Sequence, residues 1–502
     1  MHPVLRLSPT DQIGIAVAPI ARDAWLGAYN VRAVDDVPPG HKIALVAIKQ
    51  GDQIRRIGQP IGLASRSIAA GEHVHEHNLM YPGSLATRDV RVRQPAAFSN
   101  VVETFQGYRR TNGRVGTRNY IGVLTTVNCS ARVARMIALH FSPSILERTP
   151  WIDGVVPLTH TSGCSISEGT PSMEMLRRTL AGYANHPNFV GVLVVGLGCE
   201  DNQMSLFSQN AGVELSPDVR GITIQDLGGT RPAVESGISV VEELIQGATG
   251  EKRKPVPVSE LIVGLQCGGS DSFSGLSANP ALGSAVDRLV HQGGTAILSE
   301  TPEIYGAENL LLQRVATEDV GLKLIELLNW WDQYTAKEPN GFDHNASPGN
   351  RAGGLTTILE KSLGAISKGG SSPVTAVYSY AERVRSRGLV FMDSPGFDPV
   401  SATGQVASGA NLIVFTTGRG SCFGCKPVPS LKLATNTPMY LRMREDMDLN
   451  CGAIIDGESS VENMGQTIFE KMIDVASGAK TVSELLGYGD DEFAPWHINA
   501  WT

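Results

Sequence analysis

From about residue 119 onward, apolar runs of strand length alternate with helical patterns, and this alternation constrains the fold more than any other feature of the chain. The runs fall at 120–127, 154–158, 190–196, 221–225, 261–265, 295–299, 389–392 and 412–416. Helix-like segments lie between them at 131–140, 174–183, 233–245 and 308–331. Strands that are apolar throughout must be covered on both faces, so the pattern predicts α/β domains with mainly parallel sheets. The charged, breaker-rich stretch Gly247-Ala248-Thr249-Gly250-Glu251-Lys252-Arg253-Lys254-Pro255 divides the region into two such domains, expected at 105–250 and 256–502. The first 92 residues read differently. Short runs such as Ile13-Gly14-Ile15-Ala16-Val17 and Lys42-Ile43-Ala44-Leu45-Val46 are punctuated by Pro38-Pro39-Gly40 and Ala69-Ala70-Gly71-Glu72, the pattern of a small all-β module. A polar stretch at about 83–107 reads as a linker. Three units suit a length of 502 residues.

The overall charge narrows the function. A net charge of −8 argues against a nucleic-acid surface. The start, Met1-His2-Pro3-Val4-Leu5-Arg6, has no signal-peptide core, and no apolar run approaches the roughly 20 residues that span a bilayer, so a cytoplasmic location without a membrane partner is expected. Seven cysteines, an odd number spread along such a chain, suggest metal or catalytic roles more than disulfides.

In open α/β sheets ligands bind beyond the carboxyl ends of the strands. There the sequence places Asn128-Cys129-Ser130, Thr159-His160-Thr161-Ser162-Gly163-Cys164, Gly198-Cys199-Glu200-Asp201, Gln266-Cys267-Gly268-Gly269-Ser270-Asp271 and Ser299-Glu300. Four of the seven cysteines share this position with a histidine and several carboxylates, a donor set suited to iron or zinc. Two arrangements remain open: one Fe²⁺-like ion acting as a Lewis acid, or an iron–sulfur cluster on three cysteines. Cys422-Phe423-Gly424-Cys425 is a lone CxxC and is read as a turn before a redox pair. Arg419, in the preceding glycine-rich turn, is a fork for a substrate carboxylate. The loops 346–354 and 367–372 are glycine-rich and can offer N–H groups to an anion, but neither carries a nucleotide-binding motif. In the first module His73, His75 and His77 recur at period two, which on a strand places them on one face, and His41 precedes another strand.

Taken together, these residues resemble the altronate/galactarate dehydratase family. The first module resembles its SAF (β-clip) domain through Gly40-His41-Lys42-Ile43-Ala44-Leu45 and Gly71-Glu72-His73-Val74-His75-Glu76-His77-Asn78. The remainder resembles its catalytic part through Gly113-Arg114-Val115-Gly116-Thr117-Arg118-Asn119, Gly196-Leu197-Gly198-Cys199-Glu200, Gln266–Asp271, Ser347-Pro348-Gly349-Asn350 and Thr416-Thr417-Gly418-Arg419-Gly420. The resemblance implies a hydro-lyase that converts a sugar acid such as altronate or galactarate to a 2-keto-3-deoxy acid. It implies Fe²⁺ as cofactor, with Mn²⁺ or an iron–sulfur cluster as alternatives, and a homo-oligomer, expected to be a dimer. On this reading Cys129, His160, Cys164, Cys199 and Cys267 are the pool of metal ligands. His41, Lys42, His75, Glu200 and Asp271 are acid/base candidates, and Arg118, Asn350 and Arg419 are candidates for holding the substrate. A sulfolactate-type sulfo-lyase and a sugar-acid-binding regulator with a structural metal are the alternative functions.

Overall fold

The computed structural model describes residues 3–83, 88–99, 103–211, 213, 215–337 and 341–498. Met1 and His2, the segments 84–87 and 100–102 of the expected linker, and residues 499–502 of the last expected domain lie outside the described residues.

The N-terminal module is all β. Val4–Leu5, Ile13–Ala16, Lys42–Ala44 and His73–Val74 form one antiparallel sheet, and Gln53–Arg56, Gln59–Ala64 and Leu79–Met80 form another. The strands are short, and the apolar side chains they turn inward (Ile13, Ile54, Ile61, Val74, Leu79), with Ile68 from a connecting loop, make a core of their own.

The expected linker is not free chain. The Arg91 and Arg93 N–H groups donate to Leu312 O and Val315 O, and Arg88 pairs with Asp332, which straps the segment onto the C-terminal domain. Thr104–Arg109 is a strand pairing antiparallel with Val115–Gly116 and Lys254–Pro257. Polar composition alone hid these pairings, because the backbone groups that make the strand pairing and the Arg91 and Arg93 bonds carry no side-chain signature.

Two all-parallel sheets follow. The middle sheet has the order Gly154–Leu158, Tyr120–Thr125, Phe189–Gly196, Val219–Thr223. The helices Ala131–His140 and Thr230–Gly247 cover one face. The helix Pro171–Ala184 covers the other, starting where Thr170 Oγ1 accepts the Met173 N–H and Pro171 occupies the first turn. That helix also packs on Asp398–Ser408 of the next domain, so one apolar core runs through both domains. Gly182 allows the close approach: a Cβ there would lie 2.3 Å from Ala407 O.

The C-terminal sheet has the order Val374–Tyr378, Gly388–Met392, Thr295–Leu298, Ile262–Cys267, Leu412–Thr417, Ser430–Ala434, Leu449–Asn450. From Ile262–Cys267 the chain first winds to one side and only later returns to the other. The topological switch point therefore lies between Ile262–Cys267 and Leu412–Thr417, where α/β sheets open a ligand crevice. The expected helix at 308–331 is two helices, Asn309–Leu312 and Glu318–Tyr334. Thr317 interrupts the apolar pattern and caps the second, its side chain accepting the Val320 N–H. Among the described residues no helix is long and apolar enough to cross a membrane.

Candidate active site

At the switch point the loop 268–274 leaves one strand and the loop 418–420 leaves its neighbour. Asp271 ties them together. Its buried carboxylate accepts from Ser274 N and Oγ, Thr435 Oγ1 and Asn436 Nδ2. Burial pushes its pKa up, while the Thr435 and Ser274 bonds oppose the rise. Gly418 must be glycine here, because a Cβ would fall 2.1 Å from Asp271 Cγ. With its oxygens taken up by the loops, Asp271 positions the crevice wall. Asn350 Oδ1 accepts from Ser347 N and Oγ in a helix cap, and its Nδ2 donates to Ser270 O, so it joins the same wall. Arg419 is exposed beside the wall, its backbone N–H donating to Gly269 O.

The β module closes on this wall through backbone. A Cβ on Gly354 (φ +92°) would lie 2.4 Å from Gly40 O. Lys42, fully buried, donates to Gly354 O at 2.5 Å and to Glu360 Oε2 at 2.8 Å. Glu360 also accepts from Arg56 and from Thr356 N and Oγ1. Burial alone would raise the Glu360 pKa, but the Lys42 and Arg56 cations outweigh it and hold the carboxyl at about 2. Lys42 is thus locked in an ion pair and positions its neighbour His41.

The imidazoles of His41, His73 and His75 gather at this junction, with ring centroids 4.9–5.5 Å apart. Their tautomers follow from their partners. His75 Nε2 lies 3.0 Å from Arg351 O, and His41 Nε2 lies 3.4 Å from Ala352 O. A carbonyl only accepts, so both nitrogens carry the proton. The His41 Nδ1 lone pair then receives a proton bond from His73 Nε2 at 3.0 Å. The lone pairs left over are His73 Nδ1 and His75 Nδ1. Burial lowers all three pKa values, to about 4 for His41 and His73, so the cluster is neutral at pH 7.

Beneath the crevice lies a buried polar cluster. Lys368 Nζ approaches Cys267 Sγ at 2.8 Å, Cys267 donates to Glu303 Oε2 at 3.1 Å, and Lys361 pairs with Glu303 at 2.6 Å. Glu300 sits in a left-handed backbone conformation (φ 71°), and neither of its carboxyl oxygens has a hydrogen-bond partner. Burial, then the neighbouring Glu303, pushes the Glu300 pKa well up; burial also lifts Asp398, to about 7. Donor atoms of Cys267, Glu300 and Glu303 all lie within 4.8 Å of one another. Lys368 Nζ stands 3.8 Å from Glu300 Oε2, an ion pair without a hydrogen bond, and one soft and two hard ligands fit a divalent transition-metal ion.

The remaining sequence candidates lie elsewhere. Cys129, Cys164 and Cys199 stand on the middle sheet, on a different sheet from Cys267. His160 has both ring nitrogens engaged, Nε2 with Thr125 O and Nδ1 with Ser162 N, which leaves no lone pair for a metal. Glu200 is buried and accepts from Thr126 Oγ1, Leu197 N and Gly198 N, bracing a turn. Arg118 lies at the amino end of the middle sheet, away from the strand ends that carry ligands. Its guanidinium is spent on both Glu484 oxygens and on Thr117, Val475 and Ala479 carbonyls, so it has no donor for a substrate. The loop 367–372 turns its Ser371 and Ser372 N–H groups onto Asp287, not outward to an anion. Glu303, Lys361, Asp398, Glu360 and Arg56 escaped sequence reading. They lie within or at the ends of helices and a hairpin and carry no motif. Glu300 and Lys368 were visible as residues after a strand and in a glycine-rich loop, but their pairing was not.

Comparison with known proteins bears on the whole chain. Residues 2–82 match the family described as Altronate/galactarate dehydratase SAF domain, 107–249 the D-galactarate dehydratase/Altronate hydrolase second domain, and 258–501 the D-galactarate/Altronate dehydratase C-terminal domain. Altronate dehydratase of Bacillus subtilis (strain 168) is 37% identical over 484 residues, covering 95% of this chain and 96% of that protein. Galactarate dehydratase (L-threo-forming) of Escherichia coli (strain K12) is 39% identical over 498 residues, 96% and 94% of the two chains. The (2R)-sulfolactate sulfo-lyase subunit beta of Chromohalobacter salexigens is 33% identical over 391 residues, 77% of this chain and 95% of that one.

Proposed function

The chain belongs to the D-galactarate/altronate dehydratase family, and from that premise we propose that it is a hydro-lyase converting altronate, galactarate or a close stereoisomer to a 2-keto-3-deoxy acid at the crevice between Ile262–Cys267 and Leu412–Thr417. The observation that carries this reading is the neutral imidazole cluster of the β module, set against the loops of a topological switch point. The reaction is a β-elimination. A neutral imidazole, His73 or His75 through its free Nδ1 lone pair, takes the proton beside the carboxylate. The β-hydroxyl leaves, takes up the proton held by the imidazole, and departs as water. The enol left behind becomes the 2-keto acid. His41 orients His73, and the Lys42–Glu360–Arg56 ion pairs hold His41 against the wall. Arg419 faces the substrate carboxylate with a free fork of donors.

A divalent ion, Fe²⁺ or Mn²⁺, would be held by Cys267, Glu300 and Glu303 and would supply Lewis acidity toward the carboxylate and hydroxyl oxygens. The test is anaerobic purification with Fe²⁺, followed by a 2-keto-3-deoxy-acid assay over a panel of aldonates and aldarates with 2-sulfolactate alongside. A product from altronate or galactarate supports the reading. Sulfite from sulfolactate alone replaces it with a sulfo-lyase, and no product from any acid with metal bound removes it.

A further inference from the structure

Three exposed free cysteines stand apart from the crevice. Cys129, Cys164 and Cys199 follow Tyr120–Thr125, Gly154–Leu158 and Phe189–Gly196, which are adjacent strands of the middle sheet, and all three stand at the carboxyl edge. Neighbouring strands lie about 4.8 Å apart, so the topology alone brings the three thiols to one small area.

Hydrogen bonds then fix the three loops to each other. Asn128 N donates to Ser162 O at 2.9 Å and Asn128 Nδ2 to His160 O at 3.1 Å, joining the first loop to the second. Asn202 N donates to Gly163 O and Ser165 N to Asp201 Oδ2, joining the second to the third. The buried Asn202 side chain donates to Thr126 O and closes the ring. The backbone is bent to present the thiols. Gly163 and Gly198, each just before a cysteine, have φ +104° and +129°, and a Cβ on them would lie 2.3 Å from Thr126 O and 2.5 Å from Gln225 Oε1. Ser165, just after Cys164, is also left-handed at φ 59°. A positive φ at a non-glycine residue stores backbone strain. The only other cysteine as exposed, Cys422, stands in the C-terminal domain, and Cys267, Cys425 and Cys451 are buried.

We propose that Cys129, Cys164 and Cys199 together hold an iron–sulfur cluster at the edge of the middle sheet, three of its irons on protein thiolates and one corner left to a non-protein ligand. Thiolate is the ligand such clusters take. Among the described residues, these three sulfurs are not within the 4.8 Å mutual reach that marks the Cys267 triad. Thiolates that share one tetrahedral ion stand closer than that, whereas a cluster takes them on separate irons. Exposure leaves the fourth corner open to solvent or a small oxygen ligand.

The test uses the full chain, purified without oxygen and then incubated with ferrous iron and sulfide. Acid-labile sulfide should be retained with an equal amount of iron, beyond the ion at Cys267, and with the broad charge-transfer absorption of a cluster. Cys129→Ser, Cys164→Ser and Cys199→Ser should each lose most of the sulfide and the iron that accompanies it, and Cys267→Ser should keep the sulfide and the cluster absorption. Circular dichroism checks that each variant is folded, and Cys422→Ser serves as a control for any exposed thiol. Zinc alone, absence of sulfide, or full retention in the three serine variants overturns the proposal. It fails separately from the proposed function: a chain that dehydrates sugar acids with no sulfide bound removes the cluster and leaves the reaction, and a cluster on a chain that dehydrates none does the reverse.

Discussion

Glu360→Gln tests how the β module is held over the crevice. The Glu360 carboxylate is fully buried and receives five donor contacts, from Lys42 to both oxygens, from Arg56, and from Thr356 N and Oγ1. Glutamine keeps the shape, removes the charge, and turns an NH₂ donor toward other donors. The magnitude follows in two ways. Lowering the carboxyl from the ordinary glutamate value of about 4.3 to about 2 is worth ~3 kcal/mol, at about 1.36 kcal/mol per tenfold. Removing one partner of a buried pair costs about 3–5 kcal/mol, because the remaining charges are left uncompensated. At about 2.1 cal/mol/K per residue, a chain of 502 residues has an unfolding entropy of about 1 kcal/mol/K, so the variant should melt ~3 °C lower at pH 7. The sign with pH also follows. A depressed carboxyl stabilises fully above its unfolded value and loses that contribution as pH falls toward 2. Wild type and Glu360→Gln should therefore keep their separation down to about pH 4.5 and converge below it. Lys42→Met should cost a similar amount, and the double variant less than the sum of the two, since they share one network. Differential scanning calorimetry from pH 3.5 to 7.5 measures all of this. An unshifted melt at pH 7, or a gap that widens on acidification, would refute the reasoning.

Arg118→Met should destabilise the chain by about 3–5 kcal/mol in denaturant titrations, because Glu484 loses its buried partner, while KM for the acid stays unchanged; a raised KM with unchanged stability would return Arg118 to the substrate. Arg419→Lys should raise KM about tenfold, the worth of one charged bond at ~1.4 kcal/mol, with kcat little altered in steady-state assays. Burial lowers all three histidines and holds His41 and His73 neutral down to about pH 4, so with His73 as the base the rate should be lost only as pH falls through 5 to 4; an acid limb centred at 6.5 or above would show that an ordinary solvated base is used instead. Glu300→Gln and Glu303→Gln should each lower the tightly held divalent metal measured by elemental analysis, and undiminished metal in both would clear the Cys267 cluster of that role.

What the sequence revealed about this site depended on where each residue stood. Strand ends were legible because a buried parallel strand is an unbroken apolar run, and the residue that follows it is at the carboxyl edge by construction. Cys129, Cys164, Cys199, Cys267, Asp271 and Glu300 were all found in this way. Which sheet each strand joins is a matter of long-range pairing, and no run of residues encodes it. Four cysteines that looked like one site therefore fall on two sheets. The strands Val374–Tyr378, Ser430–Ala434 and Leu449–Asn450 escaped because they are short or carry Thr375, Ser430 and Lys432; the fold buries Ser430 and Lys432, and bonds the Thr375 hydroxyl and the Lys432 ammonium to backbone carbonyls. Arg118 shows the opposite error. An arginine in a glycine-rich motif looks like an anion fork until Glu484, 366 positions away, is seen filling it. The histidine cluster lies between these cases. Period two placed His73 and His75 on one side, but their roles depend on the Arg351 and Ala352 carbonyls of another domain, which fix the tautomers of His75 and His41 and leave His73 Nδ1 and His75 Nδ1 as the free bases. Spacing along the chain can nominate such a cluster; only the docking of the module on the switch-point loops decides which nitrogen takes the proton.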